Sequence, residues 1–204
     1  RGQSAAKDLA NDPAVLDQAM ADTDLIYFSG ITLGILSPQG RANLLAALRN
    51  ARTAGKTIAF DPNLRARLWA SDTEMTDTIM QGAAVSDIAL PSFDDEAEWF
   101  NDAAPRATVD RHLAVGATTV IVKNGVAPVI YVAPSECGEA PVTPVETMID
   151  STAAGDSFNA GVFAQLANNT PLAQSIAYGC KLSRAVVQQR GALVPLDPTQ
   201  IVIK

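Results

Sequence analysis

Four short apolar runs, rich in β-branched and aromatic residues, recur along the chain: Leu25 to Ser29 (LIYFS), Thr57 to Phe60 (TIAF), Asp87 to Pro91 (DIALP) and Thr118 to Lys123 (TTVIVK). Their spacing is roughly 30 residues, the length of a strand–helix–strand unit. Runs that are apolar on both faces suit central parallel strands covered by helices on each side. Between them the period becomes helical. In SPQGRANLLAALRNARTAG, Leu44, Leu45 and Leu48 share one face, with Ser37 as N-cap, Pro38 at the first helical position and Gly55 beyond the end. TEMTDTIMQGAA and ATVDRHLAVG predict helices in the next two gaps. Beyond Val122, APVIYVAP and EAPVTPVETMI predict a strand pair. DSFNAGVFAQLANN and PLAQSIAYGCKLSRAVVQQR predict two closing helices, the second capped by Gly191. With no linker or low-complexity segment visible, the pattern predicts one α/β layered domain over residues 1–204.

Composition narrows the function classes. The 204 residues are 48% hydrophobic and 18% charged, ordinary values for a soluble globular chain with room for one buried core. The net charge is −7 and there is no basic run, so the attraction on which nucleic-acid binders depend is missing. No apolar run approaches the roughly 18 residues of a membrane span, and no signal peptide is visible. A cytoplasmic location without membrane partners is therefore expected. Cys137 and Cys180 do not form a metal-ligand spacing and are expected to be free thiols in a reducing compartment. His112 is the only histidine, and its charged segment predicts a helix surface. A single histidine removes His-based triads and multi-histidine metal sites, which leaves a carboxylate as the expected general base. The chain opens RGQSAAKDLA without an initiating methionine, as a processed product or the later part of a longer chain would.

In open parallel sheets, ligands gather beyond the carboxyl ends of the strands. FDPNLR after Phe60, PSFDDE after Leu90 and KNG after Val122 fall at such ends. A further stretch, DSTAAGDSFNAG (Asp150 to Gly161), carries more specific chemistry. Phe158, Val162, Phe163 and Leu166 fit helical spacing, so a helix is expected to begin near Gly155 or Asp156. Its first turn presents unpaired backbone N–H groups and the positive end of the macrodipole. Ala153, Ala154 and Gly155 are small enough for a phosphate to approach those groups. Asp156 beside them suits proton removal from a hydroxyl while the backbone holds phosphoryl oxygens. The same residues also fit a plain tight turn followed by an acid favoured by the helix dipole, and spacing alone does not choose. There is no Walker A GK[ST], and the absence of GxGxxG weighs against a nicotinamide enzyme.

DSTAAGDSFNAG resembles the C-terminal signature of the ribokinase-like (PfkB) carbohydrate kinases, usually D-T-T-G-A-G-D-S-F-x-x-G. Ala153 replaces a common glycine, a variant associated with the 2-keto-3-deoxygluconate kinase branch. FDPNLRARLW (Phe60 to Trp69) is similar to that branch's D-x-N-x-R-x-x-L-W element, and FDDEAEW to its form of the N-x-x-E segment. RGQSAAKDLA is similar to the continuation of a Tyr-x-Arg segment. The resemblance implies a ribokinase-like three-layer α/β/α sandwich with a mostly parallel central sheet. The family's first strands and β-lid would lie in an N-terminal third upstream of Arg1. It further implies ATP-dependent phosphorylation of 2-keto-3-deoxygluconate to its 6-phosphate. A kinase for fructose or ribose and a non-catalytic nucleotide- or sugar-binding relative are the alternatives.

Residue by residue, the resemblance implies Asp156 as base, with Ala153, Ala154 and Gly155 as backbone anion hole. Asp150 and Thr152 would hold a monovalent cation such as K⁺. Lys123, where the family has threonine, and Gly125 would approach ATP. Cys180 would line the adenine pocket, although burial of an ordinary thiol explains it equally well. Arg1 and Arg65 would grip the sugar carboxylate, for which a guanidinium is the bidentate partner. A surface ion pair is the other reading of Arg65, and a loose chain end that of Arg1. Asp61 and Asn63 would orient Arg65 or the sugar hydroxyls. Asp95 or Glu96 would organise Mg²⁺ through water, where Asp94 and Asp95 otherwise read as a solvated helix start. The full-length protein is expected to be a homo-oligomer.

Overall fold

The computed structural model of the chain describes residues 4–197. They divide into two compact units, one running up to Val122 and including Val132–Glu136, the other comprising Lys123–Tyr131 and the residues from Cys137 on.

The first unit alternates helices with parallel strands. In chain order it contains α1 (Pro13–Ala21), β1 (Leu25–Ser29), α2 (Gly30–Ile35), α3 (Pro38–Thr53), β2 (Thr57–Asp61), α4 (Asp72–Ala84), β3 (Ile88–Ala89), α5 (Phe93–Phe100), α6 (Pro105–Ala114) and β4 (Thr119–Val122). Neighbouring strands pair in parallel in the order β1-β2-β3-β4, with Phe28 opposite Phe60 and Phe60 opposite Ala89. All four predicted runs thus form strands. Ile58, Ala59, Phe60 and Val120 to Val122 are completely buried, which is why these runs are apolar without alternation. Phe28 stacks on Phe60 with centroids 4.6 Å apart, an arrangement that adds about 0.5–1.5 kcal/mol to the burial itself.

Local chemistry sets the helix starts. Ser37 Oγ accepts the Gly40 N–H at 3.0 Å and Pro38 occupies the first turn of α3, while Gly55 takes φ +86° beyond its end. Ser71 Oγ accepts the Glu74 N–H at 3.1 Å to cap α4. Each such cap contributes about 1 kcal/mol. Helix α2, absent from the periodicity argument, is capped by Ser29, whose Oγ accepts the Thr32 N–H at 3.4 Å, and its first residue must be glycine because a Cβ on Gly30 would lie 1.9 Å from the Pro62 carbonyl oxygen. That close approach fixes the loop following β2.

The second unit contains the first three residues of β5 (Val129–Val132) and all of β6 (Cys137–Ala140), α7 (Ala154–Leu166) and α8 (Leu172–Val186). The predicted second strand is displaced: β6 precedes the EAPVTPVETMI run, of which it keeps only Glu139 and Ala140. Pro141 and Pro144 follow, and proline cannot donate to a ladder. Helices α7 and α8 meet at two glycines. A Cβ on Gly161 would stand 2.9 Å from Gly179 Cα, and one on Gly179 would stand 2.7 Å from the Phe158 carbonyl oxygen. Phe158, Val162, Leu172 and Ile176 are buried around this contact. Gly191 does not cap α8, which ends at Val186 with the Val187 N–H bonded to the Ser183 carbonyl. Among the described residues, no helix is long and apolar enough to cross a membrane.

Candidate functional site

In the second unit the DSTAAGDSFNAG stretch is anchored by Asp150. One carboxylate oxygen accepts the Thr152 N–H at 2.8 Å and the other accepts the Gly191 N–H at 2.9 Å. Hydrogen bonding from Thr152, with that of Gly191, holds the Asp150 carboxyl down at about 2, so it is ionised at neutral pH. This staple joins the start of the turn to the segment after α8.

Ala153 then adopts the left-handed conformation, φ +61°, as N-cap of α7. That conformation costs a non-glycine residue about 1–2 kcal/mol. Unlike the serines that cap α2, α3 and α4, Ala153 offers no side-chain acceptor to the first turn. Gly155 is the second helical residue, and a Cβ on it would meet only Lys123 Nζ, at 3.6 Å. The Lys123 ammonium therefore lies over the uncapped turn, 3.4 Å from Oδ1 of buried Asn159. Backbone N–H groups, the helix dipole and a lysine charge converge on one small surface, a combination that favours an anion. Asp156 is exposed in that same turn.

Gly125 lies in an exposed turn closed by the Ala127 N–H to the Asn124 carbonyl at 2.9 Å, with φ +57° and open space where a Cβ would sit. Cys180 is half-buried on α8. Burial pushes its thiol up to about 11, which leaves it protonated and a poor nucleophile.

In the first unit, β2 ends in buried Asp61, whose Oδ1 accepts the Asn63 N–H at 3.2 Å. Asn63 has φ +35°, and its side-chain oxygen is buried without a hydrogen-bond partner. Arg65 donates to the Leu64 carbonyl at 2.6 Å and pairs with Asp95 at 3.6 Å. Its side chain is 42% exposed, so this pair adds little to stability and leaves the guanidinium accessible. Arg1 lies outside the described residues.

The adjacent acids Asp95 and Glu96 have different surroundings. Glu96 is completely buried and accepts from Arg111 at 2.8 Å, with His112 3.5 Å from its other oxygen. Arg111 also binds Asp102 and lies 3.8 Å above the Phe100 ring. His112 is thus fully buried and not on a helix surface, because α6 turns it toward a carboxylate on α5. Among the described residues, no group of three or more histidine, cysteine, aspartate or glutamate side chains is arranged to hold a metal. Sequence reasoning missed Arg111, Asp102 and Asn159. Asn159 carried a readable signal, since it follows Asp156 by three residues on one helix face. Nothing in ATVDRHLAVG shows that its charges turn inward.

The chain is 34% identical over 202 residues to the 2-dehydro-3-deoxygluconokinase of Escherichia coli (strain K12), a match covering 97% of this chain and 65% of that protein. It thus spans just under two thirds of that relative's length. Its fold matches the 2-dehydro-3-deoxygluconokinase of Thermotoga maritima with a TM-score of 0.76 at 17% identity, over 93% of this chain and 62% of the other. A putative Ribokinase II from E. coli, solved in complex with ATP and Mg²⁺, matches with a TM-score of 0.74 at 24% identity, over 86% and 56% of the two chains. These two likenesses show the ribokinase-like α/β fold with its mostly parallel sheet. The model of the pfkB family carbohydrate kinases matches residues 1–199, a span that takes in both units and the DSTAAGDSFNAG turn, and the chain belongs to that family.

Proposed function

We propose that this protein is an ATP-dependent sugar acid kinase that converts 2-keto-3-deoxygluconate (2-dehydro-3-deoxygluconate) to its 6-phosphate, with residues 1–204 belonging to one ribokinase-like catalytic domain. The observation that carries the reading is the start of α7: an uncapped helical turn, the Lys123 ammonium over it and Asp156 within it. The relative named 2-dehydro-3-deoxygluconokinase supports the substrate class.

In this reading Asp156 takes the proton of the sugar 6-hydroxyl as that oxygen attacks the phosphoryl group. The N–H groups of Ala153 and Gly155, that of Ala154 once it gives up its 3.1 Å bond to the Ser151 carbonyl, and the charge of Lys123 stabilise the negative oxygens of the group in transfer. MgATP supplies the phosphoryl group. The position at Gly155 fits its phosphates, Gly125 allows close backbone approach, and Cys180 would line the adenine pocket. With no carboxylate cage among the described residues, Mg²⁺ would be carried chiefly on the phosphates and organised through water by Asp95 or Glu96. Ionised Asp150, with Thr152, would serve a monovalent cation beside the turn. In the first unit, the accessible Arg65 guanidinium suits the sugar carboxylate, and the unpartnered Asn63 oxygen suits a hydroxyl donor. Arg1 would share the carboxylate, and Asp61 keeps the Asn63 loop in place.

The test is ADP release by the protein expressed from its complete reading frame, with 2-keto-3-deoxygluconate, fructose and ribose as acceptors. Turnover restricted to the sugar acid is expected. Turnover only with neutral sugars refutes the substrate, and ATP binding without turnover refutes catalysis. Asp156→Asn should lower kcat by about 10²–10⁴-fold at an unchanged melting temperature.

A further inference from the structure

His112, which faces the buried Glu96 carboxylate, has no part in the chemistry above. Both side chains are completely buried. Arg111 occupies one Glu96 oxygen at 2.8 Å. The other oxygen, Oε1, has no hydrogen-bond partner, and neither imidazole nitrogen of His112 has one. Oε1 and His112 Nε2 face each other at 3.5 Å, close enough for a small side-chain rotation to form a hydrogen bond. A buried polar atom left unsatisfied is costly, so proton placement in this pair is not free. A proton on Nε2 satisfies both facing atoms. A proton on Nδ1 alone satisfies neither and sets a nitrogen lone pair against a carboxylate.

The pair grips an otherwise weakly held helix start. Helix α5 has only eight residues, and its N-cap, Ser92, makes no side-chain capping bond. Glu96 lies in its first turn, immediately after Asp95, which pairs with Arg65 at 3.6 Å. We infer that His112 is a positioning residue for the sugar-acid site: its Nε2–H bond to Glu96, alongside Arg111, fixes the first turn of α5 and so holds Asp95 against Arg65. The functional half of this inference rests on the reading of Arg65 as the carboxylate-binding residue.

Two independent measurements test it. Because His112 is the only histidine, nitrogen NMR of the ¹⁵N-histidine-labelled protein reads its ring without assignment. An Nε2-bound proton is expected, and a proton on Nδ1 alone overturns the inference. In kinetics, His112→Leu should raise KM for the sugar acid about tenfold with kcat and KM for ATP unchanged, while His112→Gln, which keeps a donor, should stay within about threefold of wild type. Equal effects of the two variants overturn it. Should His112→Leu not fold, Asp95→Asn serves instead. That variant frees Arg65 but leaves the buried pair in place, so it should raise the same KM without altering the histidine spectrum. An unchanged KM in Asp95→Asn overturns the inference. If the wild-type protein turns over no sugar acid, the substrate reading fails, and the tautomer still decides the bond.

Discussion

Replacing Gly155 by alanine adds one methyl group at the second residue of α7, in the turn assigned to phosphoryl oxygens. Folding should tolerate it. Gly155 is not in a left-handed conformation, and the new Cβ meets only the Lys123 ammonium at 3.6 Å, an ordinary contact with the mobile end of a side chain. Alanine exceeds glycine in helix propensity by up to about 1 kcal/mol, less in a first turn. For a chain of this size that corresponds to a melting temperature unchanged or raised by up to about 4 °C. Catalysis should suffer, because the methyl group stands where an anionic oxygen would approach the backbone N–H groups. Loss of one such donor lowers kcat by about 10²–10³-fold. Calorimetry and the ADP-release assay on the same preparation read both numbers. A kcat within about threefold of wild type would refute the placement of the phosphoryl group, because a blocked donor is worth far more than that. A fall in melting temperature beyond about 5 °C would refute the packing argument instead.

Gly179→Ala should behave in the opposite way: its Cβ would lie 2.7 Å from the Phe158 carbonyl oxygen, against backbone that cannot step aside. A net loss of about 1–3 kcal/mol is expected by thermal melting despite the better helix propensity, and a stabilised variant would contradict the Gly161–Gly179 crossing. Exposed Cys137 should react with a thiol reagent well before Cys180, which at about 11 is only ~0.1% thiolate at pH 8; equal labelling rates would contradict the burial of Cys180. Asp150 is held at about 2 against an ordinary 3.8, so the stability from its staple is fully present above about pH 4 and is lost as the pH falls toward 2. The difference in melting temperature between wild type and Asp150→Asn should therefore be constant near neutrality and shrink in that acid window. A difference that widens there would contradict the Thr152 and Gly191 bonds.

Much of the architecture was legible because short-range rules govern it. Ile58 to Phe60 and Val120 to Val122 are apolar without alternation because both faces are covered, and they read as strands. Ser37, Pro38 and Gly55 marked the ends of α3 by their own backbone chemistry. Legibility failed where a local pattern was ambiguous. The apolar run continues from β1 into α2 without a change of period, and the need for glycine at its first position comes from the approach of Pro62, a contact made through space. The strand assigned to EAPVTPVETMI and the Gly191 cap failed similarly: prolines denied the first a ladder, and the Gly191 N–H is bound to Asp150, 41 residues earlier.

The candidate site divides along the same line. The sequence alone determined that three small residues would open a helix with no side-chain cap and that an acid would follow them, since capping and helix dipoles act within a few residues. Through a resemblance it also singled out Arg65 and the adjacent acids Asp95 and Glu96 as candidates. Only the tertiary structure decided that Lys123 lies over Gly155, that Asp95 pairs with Arg65, and that Glu96 is buried against Arg111 and His112. Those contacts join residues 15 to 32 positions apart. The direction a charged side chain takes is set by which partner satisfies it after the elements pack, and hydrophobic periodicity carries no record of that choice.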